Sequence, residues 1–273
     1  MVLKSKKVLK DCRWKKLRHI DDRIKKTLIL SDVHIPYQDD KAISAAFNYA
    51  RKYQPDNIVL NGDVMDFYGL STFDKSPDRK DTVAGEIMKG RKWLSGLRRR
   101  FSKANIYFLQ GNHENRLQKY LWRNPELHGL DSLELKNLLR FKHLKIKETK
   151  VDAEYWGKDT GHLKIGDAII MHGDSRLNGS SSSKYSGYSA KNTMMGIQQS
   201  VVMGHIHRLA HIKHRTPYGY MTGVEAGCLC IIPGNANWQQ GFATFETFKG
   251  KNFNYKIHHI QDGKLIEDGK VYQ

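Results

Sequence analysis

The sequence predicts an α/β protein built as a sandwich of two facing mixed β-sheets with helices on the outside. Three observations carry that expectation. From Thr27 onward, short and almost wholly apolar runs alternate with amphipathic segments, the pattern of strands buried on both faces and of helices that cover them. From His162 the texture changes to hairpins and closely spaced strands, so a second sheet is expected. No Gly-x-Gly-x-x-Gly follows the first strand, which argues against a dinucleotide-binding fold.

The elements follow in order. TLILSDVH (27–34) is the first strand, with a helix over 42–53; NIVLNGDVMD (57–66) is the second, with a helix over about 81–100; NIYFLQGNHE (105–114) is the third, with a helix over 115–122. HLKIGDAIIMHGD (162–174) reads as a hairpin whose Gly166-Asp167 pair suits a type II′ turn, glycine taking the first central position. The Ser/Gly-rich stretch 175–189 has few groups to bury and is the expected mobile loop. A helix over 188–199, a strand at SVVMGHIH (200–207) and a strand-rich C-terminal third complete the chain. Residues 27–273 are expected to form a single domain and residues 1–26 a basic N-terminal arm without a clear core pattern.

A chain of 273 residues, 39% of them hydrophobic, can bury a core of ordinary size without metal or disulfide staples. No apolar run approaches the roughly 20 residues that span a bilayer, and MVLKSKKVLK lacks the apolar stretch of a secretory signal, so the expected location is the cytoplasm with no membrane partner. Cys228 and Cys230 would share one face of a strand and read as core thiols, with Cys12 far away in sequence and no CxxC pair. The net charge of +18 favours an anionic partner. Eleven basic side chains fall within residues 1–27, and Arg98, Arg99, Arg100 and Lys103 form a second cluster.

Each apolar run ends in a polar cluster: Asp32-Val33-His34, Gly62-Asp63-x-x-Asp66, Gly111-Asn112-His113-Glu114, the single His172, and Gly204-His205-Ile206-His207. Singly, each is more simply a polar turn or an ordinary histidine. Groups at the carboxyl ends of successive strands, however, share the crevice in which open α/β sheets bind ligands, so the five are expected to converge. In this order and combination they resemble the calcineurin-like metallophosphoesterase family, over about two thirds of the chain and with no ligand position missing.

That resemblance implies a binuclear centre, two divalent transition-metal ions about 3.5–4 Å apart. Asp63 would bridge them. Asp32, His34 and His207 would complete one coordination shell and Asn112, His172 and His205 the other. Mixed nitrogen and oxygen donors suit Mn²⁺ foremost, with Fe, Zn²⁺ or Ni²⁺ as alternatives, rather than Ca²⁺ or Mg²⁺. The expected reaction is in-line attack of a metal-bridging hydroxide on a phosphate ester, with His113 stabilising or protonating the leaving oxygen. Glu114 is expected to orient His113, and Asp66 to hold a ligand histidine. Arg208, Lys184 and Tyr185 are expected substrate contacts, with Asn178 and Tyr188 in the same loop; Phe67, Tyr68 and Phe73 either stack a base or pack in the core.

The charge favours a phosphodiesterase or nuclease acting on nucleic acid or nucleotides. The alternative is a phosphomonoesterase on a nucleotide, sugar or protein phosphate. A non-catalytic nucleic-acid-binding module fits less well, because it would have no use for the full ligand set together with His113. A structural zinc site would have no use for Asn112 or a shared Asp63.

Overall fold

The computed structural model describes residues 18–19, 24–149, 161–174, 183–248 and 252–273. Most of the basic arm and of the Ser/Gly-rich loop, including Asn178, lies outside the described residues. In chain order the elements are β1 (Arg18–His19), β2 (Lys25–Leu30), α1 (Asp40–Tyr53), β3 (Asn57–Asn61), α2 (Val83–Arg100), β4 (Asn105–Leu109), α3 (Glu114–Arg123), α4 (Leu135–Leu138), α5 (Phe141–Leu144) and β5 (Ile146–Thr149). After these come β6 (His162–Ile165), β7 (Ala168–Met171), α6 (Tyr188–Ile197), β8 (Ser200–Met203), β9 (Leu209–Thr216), β10 (Gly219–Ala226), β11 (Gln240–Phe248), β12 (Asn252–Ile260), β13 (Leu265–Glu267) and β14 (Lys270–Tyr272).

Two six-stranded sheets result, ordered β12-β11-β2-β3-β4-β5 and β1-β6-β7-β8-β10-β9. In the first sheet β2, β3, β4 and β5 run parallel, so their carboxyl ends line one edge. In the second, β7 and β8 are parallel neighbours. Side chains alternate across each strand. Leu28, Leu30, Ile58 and Leu60 therefore face α1 and α2, meeting Ala46, Phe47, Leu94 and Leu97, whereas Ile29 and Val59 point to the opposite sheet and pack on Leu163, Ile170 and Val202. The outer face of the second sheet, Ile169, Met171, Val201 and Met203, is covered by Ala190, Met194 and Ile197 of α6.

Helix ends are set by caps. The Asp39 carboxylate accepts from the amides of Lys41 and Ala42 and starts α1, and the Thr82 hydroxyl accepts from Gly85, so α2 begins at Val83 rather than at 81. Gln198 turns left-handed and ends α6 at Ile197, two residues short of the expected stop. In the β6–β7 hairpin Gly166 has φ 55° while Asp167 is not left-handed, as a type II′ turn requires. Cys228 and Cys230 are buried and unpaired. The arm contributes more than expected, since Arg18–His19 pair in parallel with Leu163–Lys164 and β2 begins at Lys25.

Candidate active site

Asp32 and His34 follow β2, Asp63 follows β3, and Asn112 and His113 follow β4, while His172 follows β7 and His205 and His207 follow β8. The first sheet thus brings the carboxylates and the second only imidazoles. Asp32 (φ 55°), His34 (53°), Asp63 (50°), His205 (68°) and His207 (56°) all have left-handed backbone. That conformation costs an ordinary residue on the order of 1–2 kcal/mol, and such strain concentrates where side chains must be aimed at a common point. Two motif glycines make room for this. A Cβ at Gly62, itself at φ 81°, would collide with the His172 ring, and one at Gly111 with the Asp63 carboxylate.

Ligand atoms of Asp32, His34 and Asp63 lie within 4.8 Å of one another, as do those of Asp63, His172 and His205. His207 Nε2 stands 3.2 Å from His34 Nε2 and 3.1 Å from Asp32 Oδ1. Across the site His172 Nε2 is 3.1 Å from both Asp63 Oδ2 and Asn112 Oδ1. Two ligands each about 2.1 Å from one cation and subtending roughly 90–110° at it stand about 3.0–3.4 Å apart. The observed separations are edges of that size.

Tautomers make the fit stricter. His172 Nδ1 faces the carbonyl oxygen of Asn61 at 3.0 Å and must donate to it, so Nε2 turns toward two acceptors, an arrangement that calls for a cation or a proton. His34 Nδ1 donates to Asp66 Oδ1 at 3.1 Å, which leaves its Nε2 free to ligate. Asp32, Asp63 and His172 are at most 1% exposed. A divalent cation fits this donor set on either side of Asp63.

Two other groups have similar spacing, His34 with Asp66 and His113, and His34 with His207 and Cys230. The first is already filled by protons, because Asp66 Oδ1 receives the Nδ1 atoms of both histidines at 3.1 Å. In the second, the hydrogen bond with Cys228 and then burial push the Cys230 thiol up, so it stays protonated and is a poor ligand.

Burial alone would raise the Asp63 carboxyl, but His172 and His113 beside it hold it well below the usual range. Burial would likewise lower His172 and His207. Asp63 raises His172 well above its ordinary value, and Asp32 raises His207 to about 10. His34 and His205 go down, chiefly through burial. The two imidazoles raised are the ones whose Nε2 lies 3.1 Å from a carboxylate oxygen, where a proton and a cation would compete.

His113 Nδ1 lies 2.9 Å from the Asp66 carbonyl oxygen, and its Nε2 faces the centre, 3.7 Å from Asp63 Oδ2. Asp66 Oδ1 thus stands 3.1 Å from Nδ1 of both His34 and His113. Glu114 departs from expectation. Its carboxylate accepts from the amides of Asp63 at 2.9 Å, Met65 at 2.8 Å and Gly111 at 2.8 Å, which fixes the loops carrying the metal donors rather than orienting His113. Burial and then Asp63 push its carboxyl up to about 7.

Arg116 escaped the motif reading. Its Nη1 donates to the Asp66 carbonyl at 2.8 Å and its Nη2 to His113 Nε2 at 2.9 Å. The available signal was its position, three residues after His113 at the start of one helix, where side chains share a face. A guanidinium has no lone pair, so this contact holds His113 in the Nδ1–H form and masks its Nε2. Arg79 was also missed; it sits between the rings of Tyr37 and Tyr68 at 4.2 and 4.3 Å and reaches Asp66 Oδ2 at 3.4 Å.

The expected substrate contacts are less gathered. Arg208 donates to the Ser183 carbonyl, tying the start of the described loop segment to the residue after His207. Lys184 lies over the ring of Tyr185 at 5.2 Å, and Tyr185 is largely exposed. Phe67 is fully buried in the core, whereas Phe73 is exposed.

A two-sheet sandwich with Asp, His and Asn donors gathered at its strand ends defines the class, a metal-dependent hydrolase. Residues 25–209 match the calcineurin-like phosphoesterase model, and the chain belongs to that family, whose members use divalent metal ions to hydrolyse phosphate esters. It is 29% identical over 267 residues to the Gene 54 protein of Mycobacterium phage L5, covering 91% of this chain and 99% of that protein. The Gene 54 protein of Mycobacterium phage D29 is 27% identical over 265 residues, with the same coverage. A metallophosphoesterase from Sphaerobacter thermophilus aligns with a TM-score of 0.46 and 16% identity over 87% of this chain and 88% of its own. Among the described residues no helix is long and apolar enough to cross a membrane.

Proposed function

We propose that this phosphoesterase works with two divalent transition-metal ions, Mn²⁺ foremost, and is a phosphodiesterase or nuclease acting on nucleic acid or nucleotides. The observation that carries the binuclear assignment is the membership of the Asp63 carboxylate in both donor groups. Asp32, His34 and His207 would hold one ion, and Asn112, His172 and His205 the other. Such a pair supplies a water of lowered pKa and positive charge against the phosphoryl oxygens.

The protein's own groups do the rest. Asp66 fixes the ring of His34 through Nδ1 and that of His113 through the same atom, so both present Nε2 to the site. His113 Nε2 is placed to hydrogen-bond the developing charge or to give a proton to the leaving oxygen. It carries that proton only when the Arg116 guanidinium moves off, and a phosphate oxygen is the natural acceptor for the displaced guanidinium. Substrate binding would thus unmask the acid. The net charge of +18 supports a polyanionic substrate.

The deciding assay loads purified protein with Mn²⁺ and measures turnover of bis-p-nitrophenyl phosphate, p-nitrophenyl phosphate, and single- and double-stranded DNA. Diester and DNA cleavage with weak monoester turnover is expected. Preference for the monoester would move the assignment to a phosphomonoesterase, and no turnover of any substrate would leave only a binding role.

A further inference from the structure

The strand that leaves the metal-donor loop carries a row of basic side chains unrelated to the donors. β9 begins two residues after His207 and is the edge strand of its sheet. Ile212 packs inward on the α6 side, while His211, Lys213 and Arg215, and also His214 on the face of Ile212, are exposed. The first three share the face that looks toward the other sheet's edge strand, β12, since the His211 ring meets Tyr255 at 5.7 Å and Lys213 Nζ lies 5.5 Å from the same ring. Arg215 is paired directly across from Tyr220 and lies 6.0 Å from its ring. Tyr220 and Tyr218 at the hairpin tip are 72% and 86% exposed, too open to be held there by packing. On β12, Tyr255 shares its face with Phe253 and Ile257, which are partly buried against the core between the sheets, and none of the three is acidic. The acid of β10, Glu225, turns to the opposite face and is spent on the amides of Gly187 and Ala190.

We propose that the exposed face of β9, with the open ring of Tyr220 beside it, is a track that guides single-stranded nucleic acid from the hairpin tip to the metal centre. Alternate residues on a strand are roughly 7 Å apart, a step that suits successive phosphates of an extended chain. An eight-residue strand carries the row about 26 Å outward from the donor loop. Basic side chains beside an open aromatic ring, here that of Tyr220, are the two components of sequence-tolerant single-strand binding, and stacking on a tyrosine requires an unpaired base. A duplex offers the cations phosphates but offers the ring nothing. The proposal rests on the nucleic-acid reading above and extends it from the reacting atoms to the path of the substrate.

The test uses the full-length, Mn²⁺-loaded protein with Lys213→Gln/Arg215→Gln and Tyr220→Leu variants. Anisotropy of fluorescein-labelled phosphorothioate dT20, which keeps its charge and resists cleavage, is followed across a KCl series. The double variant is expected to bind about tenfold more weakly at 0.1 M KCl and to flatten the slope of log affinity against log salt by about 1.4, the release expected for two phosphates. Tyr220→Leu is expected to weaken binding about fivefold or more with the slope unchanged, because stacking releases no counterions. Turnover of bis-p-nitrophenyl phosphate should stay at the wild-type level in both. Wild-type affinity and slope in both variants would overturn the track while leaving cleavage of ordinary single-stranded DNA to judge the substrate reading separately. Equal, variant-insensitive binding of duplex would also overturn it. So would variants that lose only binding to phosphatidylserine vesicles, which would make the surface a bilayer contact.

Discussion

The two sheets meet at the site with opposite chemistry. The first supplies Asp32 and Asp63 together with His34, Asn112 and His113, and it is internally braced. Glu114 holds three amides of its loops, and Asp66 holds two of its rings. The second supplies His172, His205 and His207, and it is fixed mainly by leaning on the first. His205 gives its backbone N–H to the Asp32 carboxylate, and the His172 ring donates to the Asn61 carbonyl. Neither sheet alone brings both the carboxylates and all of the imidazoles, so the proposed donor set would be complete only where the sandwich closes, with the buried carboxylates of one sheet facing the imidazoles of the other.

That contrast can be broken most severely at Asp63. Asp63→Ala should remove the shared donor and cut turnover on the order of 10⁴-fold together with loss of bound metal, read by kinetics and elemental analysis. His113→Ala should separate chemistry from metal binding, lowering turnover by roughly 10²–10⁴-fold at unchanged metal content. Loss of metal in that variant would make His113 a ligand. Arg116→Ala sharpens the point: it removes the guanidinium that would pair with a substrate phosphate and leaves His113 unmasked, so it should raise the KM of a charged diester more than it lowers kcat.

A smaller effect concerns stability. Burial and then Asp66 push the Glu86 carboxyl, wholly enclosed under the second loop, up to about 7 from an ordinary 4.5. A raised acid pKa means the folded chain keeps a proton that the unfolded chain has lost. Stability should therefore fall as pH rises from about 4.5 to 7 and level off above. Glu86→Gln should remove that slope and stabilise the protein at pH 8 by about 1–3 kcal/mol, and a melting curve no higher than wild type at pH 8 would contradict this. The smallest effect is expected from the arm. Removing residues 1–17, which spares the Arg18–His19 pairing, should flatten the salt dependence of polynucleotide binding and leave small-diester turnover unchanged.

Most of the donor set was legible because each donor follows an apolar strand, and strand ends can be read from hydrophobic period alone. Residues whose partners are made by the fold could not be read that way. Glu114 stands beside His113 in sequence, yet its carboxylate is satisfied by amides brought in from the β3 loop, and Arg116 lies two residues past the motif, in the helix that Glu114 begins. β9 was missed as a strand because one face of LAHIKHRT is polar and the other barely apolar, so its alternation is faint, and the late start of α2 and the early end of α6 follow from caps rather than from period.

The shared carboxylate is the central claim, and diffraction from Mn²⁺-loaded crystals at the manganese absorption edge tests it most directly. Two anomalous peaks about 3.5–4 Å apart are expected, both in contact with Asp63, one also with Asp32, His34 and His207 and the other with Asn112, His172 and His205. A single peak, or two peaks with Asp63 touching only one, would contradict the account.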